Sequence, residues 1–65
     1  SVRFADGQLE VKQKGLQRVS VYSLNGMTVA NKAVQGQDYV TISLPRAAYI
    51  VNITTQNGSF TKVIR

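Results

Sequence analysis

The chain has 65 residues, of which 43% are apolar, and its eight Lys and Arg outnumber its three Asp and Glu for a net charge of +5. A chain of this length buries only about 60% of its unfolded surface, so it supports one small domain and a second domain is excluded. The absence of Cys and His excludes disulfides and thiolate nucleophiles, and it removes the commonest general base and the commonest zinc ligand.

The first predicted element is a β-hairpin. Val, Ile and Thr supply 18 residues of the chain, and these β-branched side chains pack well on a pleated sheet. Residues 1–4 predict a strand, residues 5–8 a tight reversal and residues 9–12 a second strand. Leu9 and Val11 alternate with polar neighbours, so they share one face of that strand.

A second hairpin follows a short loop at residues 13–15. Residues 18–23 alternate between apolar and polar side chains and lead into Asn25-Gly26, a dipeptide typical of the type I′ turn. Residues 27–31 are predicted to return as the partner strand, and residues 34–38 form a polar loop.

Three further elements complete the chain. Residues 39–44 predict a strand that ends at Pro45, because proline cannot donate to a strand ladder. Residues 48–54 contain the densest apolar stretch, with both faces partly apolar, which favours a central position in a sheet. Asn57-Gly58 predicts another turn, and residues 59–65 form the last strand.

Seven short strands separated by close turns predict an all-β fold with no helix. The spacing favours a small seven-stranded antiparallel immunoglobulin-like β-sandwich formed by residues 1–65, with a small open barrel as the alternative.

The sequence pattern predicts where four side chains lie in the sandwich. Ile53 and Phe60 are predicted to be buried, and replacing either by Ala is expected to cost about 2–5 kcal/mol. Tyr22 and Tyr49 are predicted at the rim of the core with their hydroxyls in water.

Three blocks of sequence, at residues 19–29, 42–53 and 57–65, carry a resemblance to a known family. They read VSVYSLNGMTV, ISLPRAAYIVNI and NGSFTKVIR. In this order and spacing they resemble the C-terminal sorting domain, type A, of proteins exported by the type IX (Por) secretion system of Bacteroidetes. The resemblance covers residues 9–65, and similar C-terminal β-sandwiches occur in Bacteroides-type surface proteins.

The resemblance implies a non-catalytic module at the C-terminus of a larger exported protein. Its partners would be the outer-membrane secretion machinery and N-terminal passenger domains of the same chain, with delivery through the periplasm to the cell surface or the extracellular medium. The positions that match the family's pattern and would carry recognition are Asn25, Gly26, Asn57, Gly58, Lys62 and Arg65. The alternative is a structural, glycan-binding or protein-binding terminal sandwich without a sorting role.

Each of these positions also has a purely structural explanation. The two Asn-Gly pairs satisfy hairpin backbone geometry without any partner. Lys62 and Arg65 are the type of residue that protects an exposed edge strand from pairing with another chain.

Other classes of function find little support in the sequence. Only Asp6, Glu10 and Asp38 offer a carboxylate; Asp6 lies in a predicted turn and Glu10 on the face opposite Leu9, so no facing pair is predicted. The serines have no His to activate them. We therefore expect no catalytic residue, no metal and no cofactor.

Nucleic acid binding and direct membrane insertion are likewise not expected. The basic residues are spread nearly one to each predicted element, whereas phosphate binding favours a clustered track. No apolar run approaches the roughly 20 residues that cross a bilayer, so direct membrane insertion is not predicted. Ser1 opens on strand-like sequence rather than on an export signal, which suggests a segment of a longer protein.

Overall fold

The computed structural model describes all residues from Ser1 to Arg65 and contains seven β-strands. They are β1 (Val2–Ala5), β2 (Gln8–Lys12), β3 (Leu16–Ser23), β4 (Thr28–Ala33), β5 (Tyr39–Ser43), β6 (Tyr49–Thr55) and β7 (Gly58–Ile64). The chain holds no helix of the length and apolar character that crossing a membrane requires.

The strands form two antiparallel sheets that pack as a sandwich. One sheet has three strands in the order β1-β2-β5, and the other has four in the order β4-β3-β6-β7. The strands β1, β2 and β5 take the places of A, B and E in the immunoglobulin-like fold, and β3, β6 and β7 those of C, F and G. The predicted fold class is therefore confirmed, including the central position of β6.

The core lies between the two sheets because alternate side chains of each strand point toward the other sheet. Residues Leu9 and Val11 of β2 are fully buried, as are Val19 and Val21 of β3. The buried apolar side chains form one cluster: Leu9, Val11, Leu16, Val19, Val21, Val34, Ile42, Leu44, Tyr49, Val51, Ile53 and Ile64.

Tyr49, the first residue of β6, does not sit at the rim of the core as predicted. Its side chain is buried, and its hydroxyl donates a 2.5 Å hydrogen bond to the carbonyl oxygen of Pro45 rather than reaching water. This is the tyrosine corner of immunoglobulin-like sandwiches, in which a Tyr at the start of strand F bonds to backbone a few residues upstream. The ring of Phe4 contacts Tyr49 edge to face, with centroids 5.8 Å apart.

Phe60 is the second departure from the predicted core. Ile53 is fully buried as expected, but its cross-strand partner Phe60 is 43% exposed. The reason is that β7 is an edge strand, and a three-stranded sheet covers the four-stranded one only in part. The other edge strand, β4, is also mostly exposed.

The loops collect at two ends of the sandwich. The upper end holds the β1–β2 turn, the β3–β4 loop, the β5–β6 loop and Arg65. Ser23 and Ile64 both pair with Tyr49, which brings the ends of β3 and β7 to the start of β6. The Leu44 amide donates to the Gly7 carbonyl at 2.9 Å, which joins the β5–β6 loop to the β1–β2 turn. The lower end holds the loops at residues 13–15 and 34–38 and the β6–β7 turn.

Candidate recognition surface

The structure separates the six residues predicted for recognition, with five at the two ends of the sandwich and Lys62 within the edge strand β7. Asn25-Gly26 and Arg65 lie at the upper end, whereas Asn57-Gly58 lies at the lower end, because β3 and β6 run in opposite directions. Strand β6 has seven residues, so the two turns are separated by roughly 20 Å at about 3.3 Å per residue. The six residues therefore do not form one compact surface.

The Asn25-Gly26 loop is not the predicted type I′ turn. Gly26 has a φ of 91°, but Asn25 is not among the residues with positive φ, and a type I′ turn requires positive φ at both central residues. The Gly26 amide donates to the Ser23 carbonyl, and the Ser23 amide donates to the Met27 carbonyl, each at 2.9 Å. This is a type I turn followed by a left-handed glycine, a three-residue loop that leaves Leu24 62% exposed.

The type I′ turn of the chain lies instead between β1 and β2. Asp6 and Gly7 have φ values of 54° and 76°, and Ala5 pairs with Gln8 across them. Asp-Gly is among the preferred dipeptides for this geometry, so the predicted tight reversal is confirmed.

The Asn57-Gly58 turn is held by hydrogen bonds from Thr55 and from the neighbouring loop, whose Gly15 carbonyl accepts from the Gln56 amide at 3.0 Å. Gln56 and Asn57 form the turn, and Gly58 is already the first residue of β7, paired with Thr55. The Thr55 hydroxyl accepts from the Asn57 amide at 3.1 Å and donates to the Gly58 carbonyl at 3.0 Å. Gly58 has a φ of 129°, a conformation that favours glycine, so hairpin geometry accounts for this residue without a partner.

Lys62 lies on an edge strand, on the side of the sheet that faces the core. It is the cross-strand partner of Val51, which is fully buried. The opposite edge repeats the arrangement, because Lys32 of β4 is the partner of the fully buried Val19. Lysines that point inward from an edge strand oppose pairing with a second chain.

Replacing both edge lysines, Lys62→Val with Lys32→Val, is expected to convert the chain from monomers into dimers and larger species. The substitutions remove the charges that a docking strand would have to desolvate. Size-exclusion chromatography with light scattering measures the change. The matched control is Lys12→Val with Lys14→Val, which removes the same charge from the central strand β2 and its following loop; equal association of the two double variants would contradict the explanation.

Arg65 contributes to a cleft of about 350 Å³ at the upper end. Four segments of the chain meet there: the end of β1, the β1–β2 turn, the β5–β6 loop and the residue after β7. The lining residues are Phe4, Ala5, Asp6, Gly7, Arg46 and Arg65. Arg46 was not predicted as a site residue, and the only sequence signal for it is its position between Pro45 and Tyr49.

The three acidic residues lie apart from one another. Asp6 is at the upper end, and the Asp38 carboxylate accepts from the Gly15 amide at 3.1 Å at the lower end. Glu10 lies on the outer face of the three-stranded sheet, where one of its oxygens is 4.0 Å from the Arg3 guanidinium, the one ion pair of the chain. No three acidic side chains come together in a group with metal-binding geometry.

An apolar band crosses the outer face of the four-stranded sheet near the upper end. Tyr22, Ile50 and Val63 are cross-strand neighbours on β3, β6 and β7, and Val63 is 53% exposed. The partly apolar character of both faces of β6 is visible in the sequence. The band itself was not predicted, because strand order is not visible there.

No family model matches the chain, and the curated proteins contain no match to it. The strand order and the tyrosine corner define an immunoglobulin-like β-sandwich domain. The function must therefore be inferred from the resemblance and from the surface described above.

Proposed function

We propose that this chain is a non-catalytic C-terminal sorting module. It directs a larger passenger, formed by N-terminal domains of the same chain, across the outer membrane to the cell surface or the extracellular medium. Its partner is the outer-membrane secretion machinery of the type IX system, which engages the module as a folded sandwich after passage through the periplasm.

The observation that carries the proposal concerns the three blocks that resemble the sorting domains. Residues 19–29, 42–53 and 57–65 include most of β3, β6 and β7, which are adjacent strands of one sheet. The resemblance is therefore concentrated on one sheet, with only residues 42–43 of β5 in the other sheet. That sheet includes the apolar band and the Asn25-Gly26 loop.

Of the six residues that the resemblance selects, we assign recognition to those at the upper end of the sandwich, which are Asn25, Gly26 and Arg65. Asn25 and Arg65 are exposed there, and Gly26 shapes the loop that presents Asn25 and Leu24. Asn57-Gly58 is assigned to the β6–β7 turn, where the Thr55 hydroxyl binds the Asn57 amide and the Gly58 carbonyl.

The test is fractionation of a reporter that carries an ordinary export signal, with or without residues 1–65 at its C-terminus, in a host with the type IX translocon. We expect surface delivery only with the segment, and strongly reduced delivery for Arg65→Gln combined with Asn25→Ala. Asn57→Ala is the matched control at the opposite turn and should be delivered normally.

Point substitutions are preferable to deletion of residues 62–65. Deletion would remove the buried side chain of Ile64 and the last three residues of β7, so a loss of delivery would not separate recognition from unfolding. Retention of the unsubstituted fusion in the periplasm, with the sandwich intact and protease-resistant, would overturn the proposal. A structural, glycan-binding or protein-binding terminal sandwich would then be the better assignment.

A further inference from the structure

The cleft at the upper end is held open by contacts that converge on Tyr49. The Tyr49 hydroxyl binds the carbonyl of Pro45, the residue before Arg46. Its ring contacts Phe4, which forms one wall, and its backbone pairs with Ile64, the residue before Arg65. Three of the four segments that line the cleft are thus anchored to one buried residue, two by its side chain and one by its backbone.

The fourth segment, the Asp6-Gly7 turn, is fixed in two ways. Its type I′ conformation joins paired strands, and the Gly7 carbonyl accepts the Leu44 amide at 2.9 Å. The backbone that frames the cleft is therefore fixed before binding, so a ligand has to order only the exposed side chains of Arg46 and Arg65. The volume of about 350 Å³ is large enough for a small organic molecule.

The charges in the cleft favour an anion that also carries hydrogen-bond donors. Arg46 and Arg65 both line it, and neither guanidinium forms an ion pair with an acidic side chain, since the one ion pair of the chain is elsewhere. Guanidinium groups bind carboxylates in a planar, bidentate geometry. Asp6 is a hydrogen-bond acceptor in the same cleft, and its negative charge opposes a dianion more than a monoanion.

We propose that this cleft binds a hydroxy-carboxylate of the size of a hexuronic acid. The carboxylate of the ligand lies between Arg46 and Arg65, a hydroxyl donates to Asp6, and the C–H face of the ligand packs against Phe4. The site does not depend on the sorting role, because a domain that fails the secretion test retains the same cleft.

The test is a titration of the ¹⁵N-labelled chain with glucuronate, followed by NMR chemical shifts. We expect shifts at the amides of residues 4–7 and 46 with a Kd of about 1 mM, the range for a small ligand in an open cleft. Glucose has the same ring without the charge and should produce no shifts. Inorganic phosphate should bind more weakly than glucuronate.

A comparison of two arginine substitutions separates binding in the cleft from a general effect of lost positive charge, and a third substitution tests the role of Asp6. Arg46→Gln should weaken glucuronate binding about tenfold, because it removes a charge-assisted pair. Arg18→Gln removes the same charge from the exposed outer face of β3 and should leave the affinity unchanged. Asp6→Asn keeps a residue that tolerates positive φ and should reverse the preference in favour of phosphate.

Several results would overturn the proposal. These are no shifts at millimolar glucuronate, equal shifts with glucose, equal weakening by Arg46→Gln and Arg18→Gln, or a wild-type preference for phosphate. The dispersion of each variant's amide spectrum reports that it is folded. Failure of the secretion test with intact glucuronate binding would count against the sorting role alone.

Discussion

Replacing Ile53 by Ala is expected to leave a large fraction of the chain unfolded at 25 °C. Ile53 is fully buried on the central strand β6, and truncating such a side chain removes apolar burial and leaves a cavity, at a cost of about 3–4 kcal/mol. A domain of this length without disulfide or metal has only about 3–5 kcal/mol of stability. Urea denaturation followed by circular dichroism measures the loss.

Phe60→Ala is the matched control for that experiment. Phe60 is the direct cross-strand partner of Ile53 but is 43% exposed on the edge strand β7. Removal of a larger side chain is therefore expected to cost less, about 1–2 kcal/mol. Equal losses for the two variants would mean that the edge of the sheet is covered, in solution, by something that buries Phe60.

The comparison of Ile53 and Phe60 shows how far the sequence predicts this fold. Period-two alternation and turn residues located all seven strands, because these signals are local. The register places Phe60 and Ile64 on one face of β7, as period-two alternation requires. The alternation did not reveal that β7 is an edge strand, because strand order depends on pairing between residues distant in the sequence.

The sequence also predicts only part of the loop geometry at the candidate recognition surface. Asn-Gly favours a hairpin, but the same dipeptide fits a type I′ turn and a type I turn followed by a left-handed glycine. The residue count of the β3–β4 loop decides between them, and that count depends on where Ser23 and Met27 pair. The cleft at the upper end was not predicted, because Asp6, Arg46 and Arg65 come together only when the two sheets pack.

Tyr49→Phe is expected to destabilise the chain by about 1–2 kcal/mol while leaving the core packing in place. The substitution removes only the hydroxyl, so the edge-to-face contact with Phe4 is retained, but the carbonyl of Pro45 loses its part-buried donor. Chemical denaturation measures the loss. Tyr22→Phe, a hydroxyl deletion at a half-buried tyrosine on the outer face of β3, is the control and should change stability little.

Tyr49→Phe also tests whether the tyrosine corner organises the cleft in addition to stabilising the fold. Because the Tyr49 hydroxyl fixes the loop that carries Arg46, its loss should speed amide exchange at residues 46–48 and weaken glucuronate binding several-fold. Phe4 and Arg65 keep their anchors, since the ring contact and the pairing of Tyr49 with Ile64 do not involve the hydroxyl. Unchanged glucuronate affinity together with reduced stability would mean that the corner supports the fold without organising the cleft.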